Sequence, residues 1–70
     1  LTAADGGYEV FVAGATAVSA KVYDLQGRPV TAVSGDSDTV TVATASLTPG
    51  IYILEATAAD GQRFTRKITR

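Results

Sequence analysis

The sequence has no cysteine and no histidine, and none of its apolar runs approaches the ~18 residues that span a membrane. Without cysteine, no disulfide can support the fold. Without histidine, the commonest metal ligand and the usual proton shuttle are both missing. No charged segment followed by an apolar one opens the chain, as a signal peptide would. We therefore predict no cofactor and no membrane insertion.

Catalytic patterns are missing as well. The serines and threonines lack the histidine, cysteine or lysine partners that activate a nucleophile. The carboxylates of Asp24, Glu55 and Asp60 are scattered among predicted turns and strands and form no acid pair. Six bases without interleaved aromatic residues do not make a nucleic-acid surface. The sequence thus predicts a domain that is not an enzyme and does not bind nucleic acid.

Residues 36–38 form a polar loop that contains two carboxylates, Asp36 and Asp38. Calcium takes six to eight oxygen ligands, and no glutamate follows at the spacing of a calcium loop. The sequence therefore favours an ordinary turn over half of a metal site.

The length of 70 residues predicts one small domain, residues 1–70. A domain of this size buries only about 60% of the surface that its unfolded chain exposes, so we expect modest stability. Much of the apolar content is alanine, with only two phenylalanines and three tyrosines, which predicts a thin aliphatic core. The chain does not begin with methionine, so we expect a piece of a longer protein, with residues 1–7 as a linker remnant.

Short runs rich in valine, threonine and isoleucine, separated by glycine and aspartate, predict an all-β fold. Their spacing is typical of a small immunoglobulin-like antiparallel β-sandwich of about six to seven short strands. The predicted strands are residues 8–12, 18–23, 28–33, 39–42, 51–57 and 63–69. The predicted core consists of Val10, Val12, Val22, Val40, Val42, Tyr52, Leu54 and Phe64.

The connections and edges follow from particular residues. Residues 24–27 and 59–61 are predicted as tight turns, and residues 34–38 as a loop. Pro29 has no N–H to donate, which predicts that its strand lies at a sheet edge. Arg66 lies on the apolar face of the last strand, which argues against full burial of that strand.

Charge is unevenly distributed along the chain. Residues 1–62 carry all seven acids and two bases, a net charge of −5, whereas residues 63–70 carry four bases and no acid. The simpler interpretation is a solvated edge strand protected by lysine and arginine. The alternative is a basic strand that pairs with a partner strand and is steered toward an acidic receptor.

Residues 47–52 have the sequence LTPGIY. Pro49 presets a turn, Gly50 tolerates the positive φ that follows, and Tyr52 enters the next strand. This arrangement resembles the tyrosine corner of immunoglobulin-like sandwiches, in which a tyrosine hydroxyl bonds to an upstream backbone group. Fibronectin type III domains carry a similar phrase, but the spacing is one residue shorter here and their tryptophan is missing, so that resemblance is local.

Three phrases together give a wider resemblance. Residues 22–28 read VYDLQGR, residues 47–52 read LTPGIY, and residues 67–70 read KITR. In this order they resemble the C-terminal sorting domain of proteins exported by the type IX secretion system, over about residues 8–70. The proline- and asparagine-containing segment that usually opens that family has no counterpart in residues 1–7.

The resemblance implies a secretion signal that directs a larger cargo protein through the outer membrane of a Gram-negative cell to the surface or the medium. Its implied partners are the parent cargo, the type IX secretion machinery and a sortase-like peptidase that removes the domain. We further expect removal of residues 67–70 to leave the sandwich folded. The implied recognition residues are Gly50, Tyr52, Lys67, Ile68 and Arg70. The alternative function is an immunoglobulin- or fibronectin-like accessory or carbohydrate-binding module of a surface enzyme.

Overall fold

The computed structural model describes residues 1–4 and 6–70, and it places seven strands in two antiparallel sheets. One sheet has three strands in the order β1-β2-β5, and the other has four in the order β4-β3-β6-β7. The predicted all-β antiparallel sandwich is therefore confirmed. The strands are β1 (Thr2–Ala4), β2 (Gly7–Phe11), β3 (Val18–Tyr23), β4 (Pro29–Gly35), β5 (Thr39–Ala43), β6 (Ile51–Ala58) and β7 (Arg63–Thr69).

The strand order is immunoglobulin-like. In a constant-type immunoglobulin domain, the first, second, fifth and fourth strands form one sheet and the third, sixth and seventh form the other. Here the fourth strand, β4, pairs instead with β3 in the second sheet, and the other six strands keep their places. The two sheets pack against each other, with β5 of the first sheet in contact with β3 and β4 of the second.

Strand boundaries agree with the prediction where the sequence alternates cleanly. β3 and β7 begin and end as predicted. β4 is longer, because Ser34 and Gly35, assigned to a loop, pair with Ser19 and Val18 of β3. β1 was not predicted, and it lies within the expected linker remnant, of which Asp5 is outside the described residues. β1 has only three residues, too few for an alternation of apolar and polar side chains to be recognised in the sequence.

The core is as thin and aliphatic as the composition predicted. Seven of the eight predicted core residues are buried, whereas Phe64 is only half-buried because β7 lies at a sheet edge. Five further apolar residues complete the core: Val18, Ala20, Ala56, Ala58 and Ile68.

The four-stranded sheet has β4 at one edge and β7 at the other. Pro29 opens β4, as its missing N–H predicts for an edge strand. Arg66 of β7 is exposed, which fits the predicted edge position. The described residues include no helix of the length and apolarity needed to cross a membrane.

Candidate recognition site

β6 begins at a tyrosine corner. The hydroxyl of Tyr52 donates a hydrogen bond to the backbone C=O of Thr48, four residues upstream, at 2.5 Å. The ring itself is buried, so this bond fixes residues 48–51 against the start of β6. The predicted back-bond of the tyrosine is confirmed.

Gly50 lies within this corner and has a positive φ of +159°. L-residues rarely adopt this φ, so a side chain at position 50 would strain the backbone whatever the space around it. A Cβ added to Gly50 would meet no atom within 4 Å. The turn therefore needs glycine for its backbone conformation, as the sequence predicted, and not because space is lacking.

The structure brings the five candidate residues together where β6 begins and β7 ends. Tyr52 lies directly opposite Ile68, and Ile53 lies opposite Lys67. The N–H of Arg70 donates to the C=O of Gly50 at 2.9 Å, which continues the pairing one step past β7. We call the five residues Gly50, Tyr52, Lys67, Ile68 and Arg70 the C-terminal corner.

Burial divides the C-terminal corner into two groups. Tyr52 is 8% exposed and Ile68 is 3% exposed, and both belong to the hydrophobic core. Gly50, Lys67 and Arg70 are exposed. A partner that binds the folded domain can contact the second group, whereas the first group holds that surface in place.

Hydrogen bonds from two distant parts of the chain hold the end of β7 in place, and the sequence predicted neither of them. The hydroxyl of Tyr8 donates to the C=O of Thr69 at 2.8 Å and accepts the N–H of Thr69 at 3.3 Å. Nη2 of Arg70 donates to the C=O of Ala45 at 2.8 Å. No local pattern signals a contact between residues 61 positions apart, because it depends on how the sheets stack.

These contacts change the expectation for removing residues 67–70. Such a truncation deletes the buried side chain of Ile68 and the bonds that Thr69 and Arg70 make to the rest of the domain. We now expect truncation to destabilise the sandwich, so single substitutions at exposed residues are the better test of recognition.

The phrase at residues 22–28 forms a self-contained turn. Oδ1 of Asp24 accepts the N–H groups of Gln26 and Arg28, each at 2.9 Å. Oδ2 of Asp24 forms a salt bridge with Nε of Arg28 at 3.0 Å, and Gly27 supplies the left-handed residue of the turn. These contacts within the turn account for the spacing of Asp24, Gly27 and Arg28, so no binding partner is needed to explain it.

The pKa of Asp24 is lowered from its ordinary value of 3.8, first by the backbone hydrogen bond from Arg28 and then by the Arg28 side chain. A lowered folded-state pKa means that the ionised carboxylate stabilises the fold above the unfolded value, and that this contribution is lost as the pH falls below 3.8. We therefore expect Asp24→Asn to reduce the acid-induced fall in Tm, measured by thermal melts from neutral pH to below 3.8.

Asp36→Asn is the matched control, because the Asp36 carboxylate makes no hydrogen bond with the described residues. An equal reduction in both variants would contradict a specific role for Asp24 and would indicate a general effect of net charge.

In the loop at residues 36–38, the side chains of Ser37 and Asp38 form hydrogen bonds with the neighbouring residue Thr39. Oγ of Ser37 donates to the C=O of Thr39, and Oδ1 of Asp38 accepts from the Thr39 hydroxyl. Over residues 1–4 and 6–70, no group of three or more acidic, cysteine or histidine side chains is placed to hold a metal ion.

The sequence matches the model of the family described as the secretion system C-terminal sorting domain, over residues 7–69. The chain belongs to the family of type IX secretion C-terminal sorting domains. The match begins with β2 and ends with β7, so it includes the tyrosine corner and four of the five residues of the C-terminal corner. No curated protein and no solved structure matched the chain.

Membership of this family assigns the sorting domain a role as a C-terminal signal for type IX secretion, which directs an attached cargo to secretion or the cell surface. The phrase at residues 22–28 and the corner at Tyr52 maintain the fold of the signal.

Proposed function

We propose that the domain is read by the type IX secretion machinery at the exposed residues of its C-terminal corner, Gly50, Lys67 and Arg70. The observation that carries this proposal is the placement of two basic side chains beside a corner fixed by core residues and by hydrogen bonds to Tyr8 and Ala45. A recognition surface held by its own fold loses little entropy when a partner binds.

In this proposal the cargo crosses the outer membrane of a Gram-negative cell, and a sortase-like peptidase then removes the domain. The domain gives the parent protein a sorting signal and no catalytic activity. An exported reporter fused to residues 1–70 is expected to become shorter by the length of the sorting domain, as measured by mass spectrometry of the surface or medium fraction. Recovery of the intact fusion alone would contradict removal and would leave the signal function standing.

The alternative function, a carbohydrate-binding accessory module, is favoured by the immunoglobulin-like strand order. Carbohydrate platforms use several exposed aromatic rings, and among the described residues Phe11, at 53% exposure, is the one aromatic residue that is more than partly exposed. This alternative would be supported if the isolated domain bound polysaccharides and if deleting the domain did not reduce export of the attached protein.

Lys67→Gln is expected to lower surface export of the fused reporter, and Lys67→Glu combined with Arg70→Glu is expected to block it and leave the reporter in the periplasm. Loss and reversal of charge weaken electrostatic attraction to an acidic receptor and slow the encounter. The measurement is the fraction of a tagged reporter at the cell surface. The Lys67 side chain makes no hydrogen bond or salt bridge with the described residues, so Lys67→Gln should leave the fold unaffected. The double variant also loses the bond from Arg70 to Ala45, so its melting curve is measured beside its export.

Lys21→Gln is the matched control. Lys21 and Lys67 are both exposed lysines on the outer face of the four-stranded sheet, but Lys21 lies on the central strand β3. Equal export of the Lys67 and Lys21 variants, with unchanged melting curves, would overturn the proposed site.

A further inference from the structure

In the described part of the chain, β7 pairs with β6 on one side and with no strand on the other. The pairing with β6 shows which backbone groups of β7 point away from the sheet. In an antiparallel pair, alternate residues direct their N–H and C=O toward the neighbouring strand. Arg70 bonds to Gly50 beside β6, so residues 64, 66 and 68 also face β6, and the register has no shift. The N–H and C=O groups of Arg63, Thr65, Lys67 and Thr69 therefore point outward from the sheet.

The outermost of these positions is already occupied. The Tyr8 hydroxyl bonds to both the N–H and the C=O of Thr69, as the backbone of an added strand would. A strand that pairs with β7 is therefore stopped at Thr69 and is limited to the stretch from Arg63 to Lys67. The segment of β7 that remains for pairing is thus five residues long, from Arg63 to Lys67.

Arg66 places a guanidinium group on the same edge. Its Nη1 donates to the outward C=O of Thr65 at 3.1 Å, and its Cζ lies 5.0 Å from the centre of the Phe64 ring. A guanidinium has five N–H donors in a planar fork that suits a carboxylate. A carboxylate at this edge would draw the guanidinium from Thr65 and free that C=O for strand pairing.

The charge of β7 selects the partner. Arg63 and Lys67 lie on the outer face, Arg66 lies on the other face, and β7 contains no acid. Antiparallel pairing of two copies of β7 about Thr65 would place Arg63 opposite Lys67, and like charges directly opposite each other are destabilising. The edge is thus protected against self-association and complementary to an acidic strand.

We propose that the sorting domain binds an extended acidic segment of its receptor by strand addition to β7, paired from Arg63 to Lys67 and ended by Tyr8. This inference rests on the proposed function, because it names the partner chemistry and binding mode at the same end of the domain. The added strand takes the outward N–H and C=O groups, and the carboxylates on its outer face meet Arg63 and Lys67, which share that face of β7.

The test is NMR of the 70-residue domain with the acidic peptide TEVEVET as the probe. Binding is expected to shift the amide signals of Thr65 and Lys67 and to slow their hydrogen exchange, while Thr69, already bonded to Tyr8, changes little. The effect should weaken with salt and should vanish with the control peptides TQVQVQT and TKVKVKT. No binding, or protection confined to β4 or β5, would overturn the proposal, as would equal binding of the neutral peptide.

Thr65→Pro tests the backbone contact directly, because it removes an outward N–H and no charge, and proline is tolerated where an edge N–H faces solvent. Thr65→Val, which keeps the N–H, is its control. We expect the proline variant to bind the peptide about fivefold more weakly or worse. If the proline variant has a clearly lower Tm than the unaltered domain, strand addition is judged from the hydrogen exchange of Thr65 and Lys67 in the unaltered domain.

Export distinguishes the two proposals. Loss of export in the Lys67 variants together with normal export of a folded Thr65→Pro variant would reject strand addition and keep the C-terminal corner as the signal. Normal export of both would reject both.

Discussion

Leu54→Ala is expected to lower the free energy of unfolding by about 2–5 kcal/mol. Leu54 is 0% exposed and is the largest of the fully buried side chains. It lies at the centre of the four-stranded sheet, opposite Val22 on one side and Arg66 on the other. The other fully buried large side chains are valines, so little is available to fill the space that the substitution leaves. Chemical denaturation of the isolated domain measures the loss.

The effect should be a large part of the total stability, since natural domains have only about 5–15 kcal/mol and this one has no disulfide. Leu25→Ala is the matched control, because Leu25 lies in a turn and is 67% exposed. We expect that variant to unfold at nearly the same denaturant concentration as the unaltered domain. Similar losses in both variants would mean that the inward face of β6 is wrongly assigned.

Gly7→Ala is expected to destabilise the domain by about 1–3 kcal/mol, because the added methyl group has no room. A Cβ on Gly7 would lie 2.0 Å from the C=O oxygen of Val42 and 2.9 Å from its carbon. These are backbone atoms of β5, the strand that pairs with β2, so they cannot move aside as a side-chain tip would. Thermal melting of the variant measures the effect.

Gly50→Ala serves as the comparison, because nothing lies within 4 Å of a Cβ at that position and any loss there comes from backbone strain at a φ of +159°, not from a steric clash. We expect that strain to destabilise the domain by about 1–3 kcal/mol. An unchanged melting temperature for Gly7→Ala would contradict the close approach of β2 and β5. A stable Gly50→Ala variant with reduced export would support contact between this corner and the secretion machinery.

Local chemistry was sufficient to predict several parts of this protein. The alternation of residues 18–23 and 63–69 predicted both strands with their bounds, because a period of two depends on neighbouring residues alone. Pro29 predicted an edge strand because it has no N–H to donate, and Arg66 argued against full burial of the last strand, which lies at the opposite edge of the same sheet. Tyr52 and the turn before it predicted a bond that spans only four residues.

The candidate site was predicted as a set of residues, and the fold decided which of them face a partner. Tyr52 and Ile68 belong to the same family phrases as Lys67 and Arg70, yet their side chains face the opposite sheet and are buried. A linear phrase does not reveal this difference, because it combines residues that maintain the fold with residues on the surface.

The sequence by itself determined the class of fold, the central strands, the turns and the family, because each of these depends on residue types at short spacing. The tertiary structure decided the rest: the pairing of β1, the half-burial of Phe64, the close approach at Gly7 and the bond between Tyr8 and Thr69. These features depend on the stacking of two sheets, which brings together residues far apart in the chain.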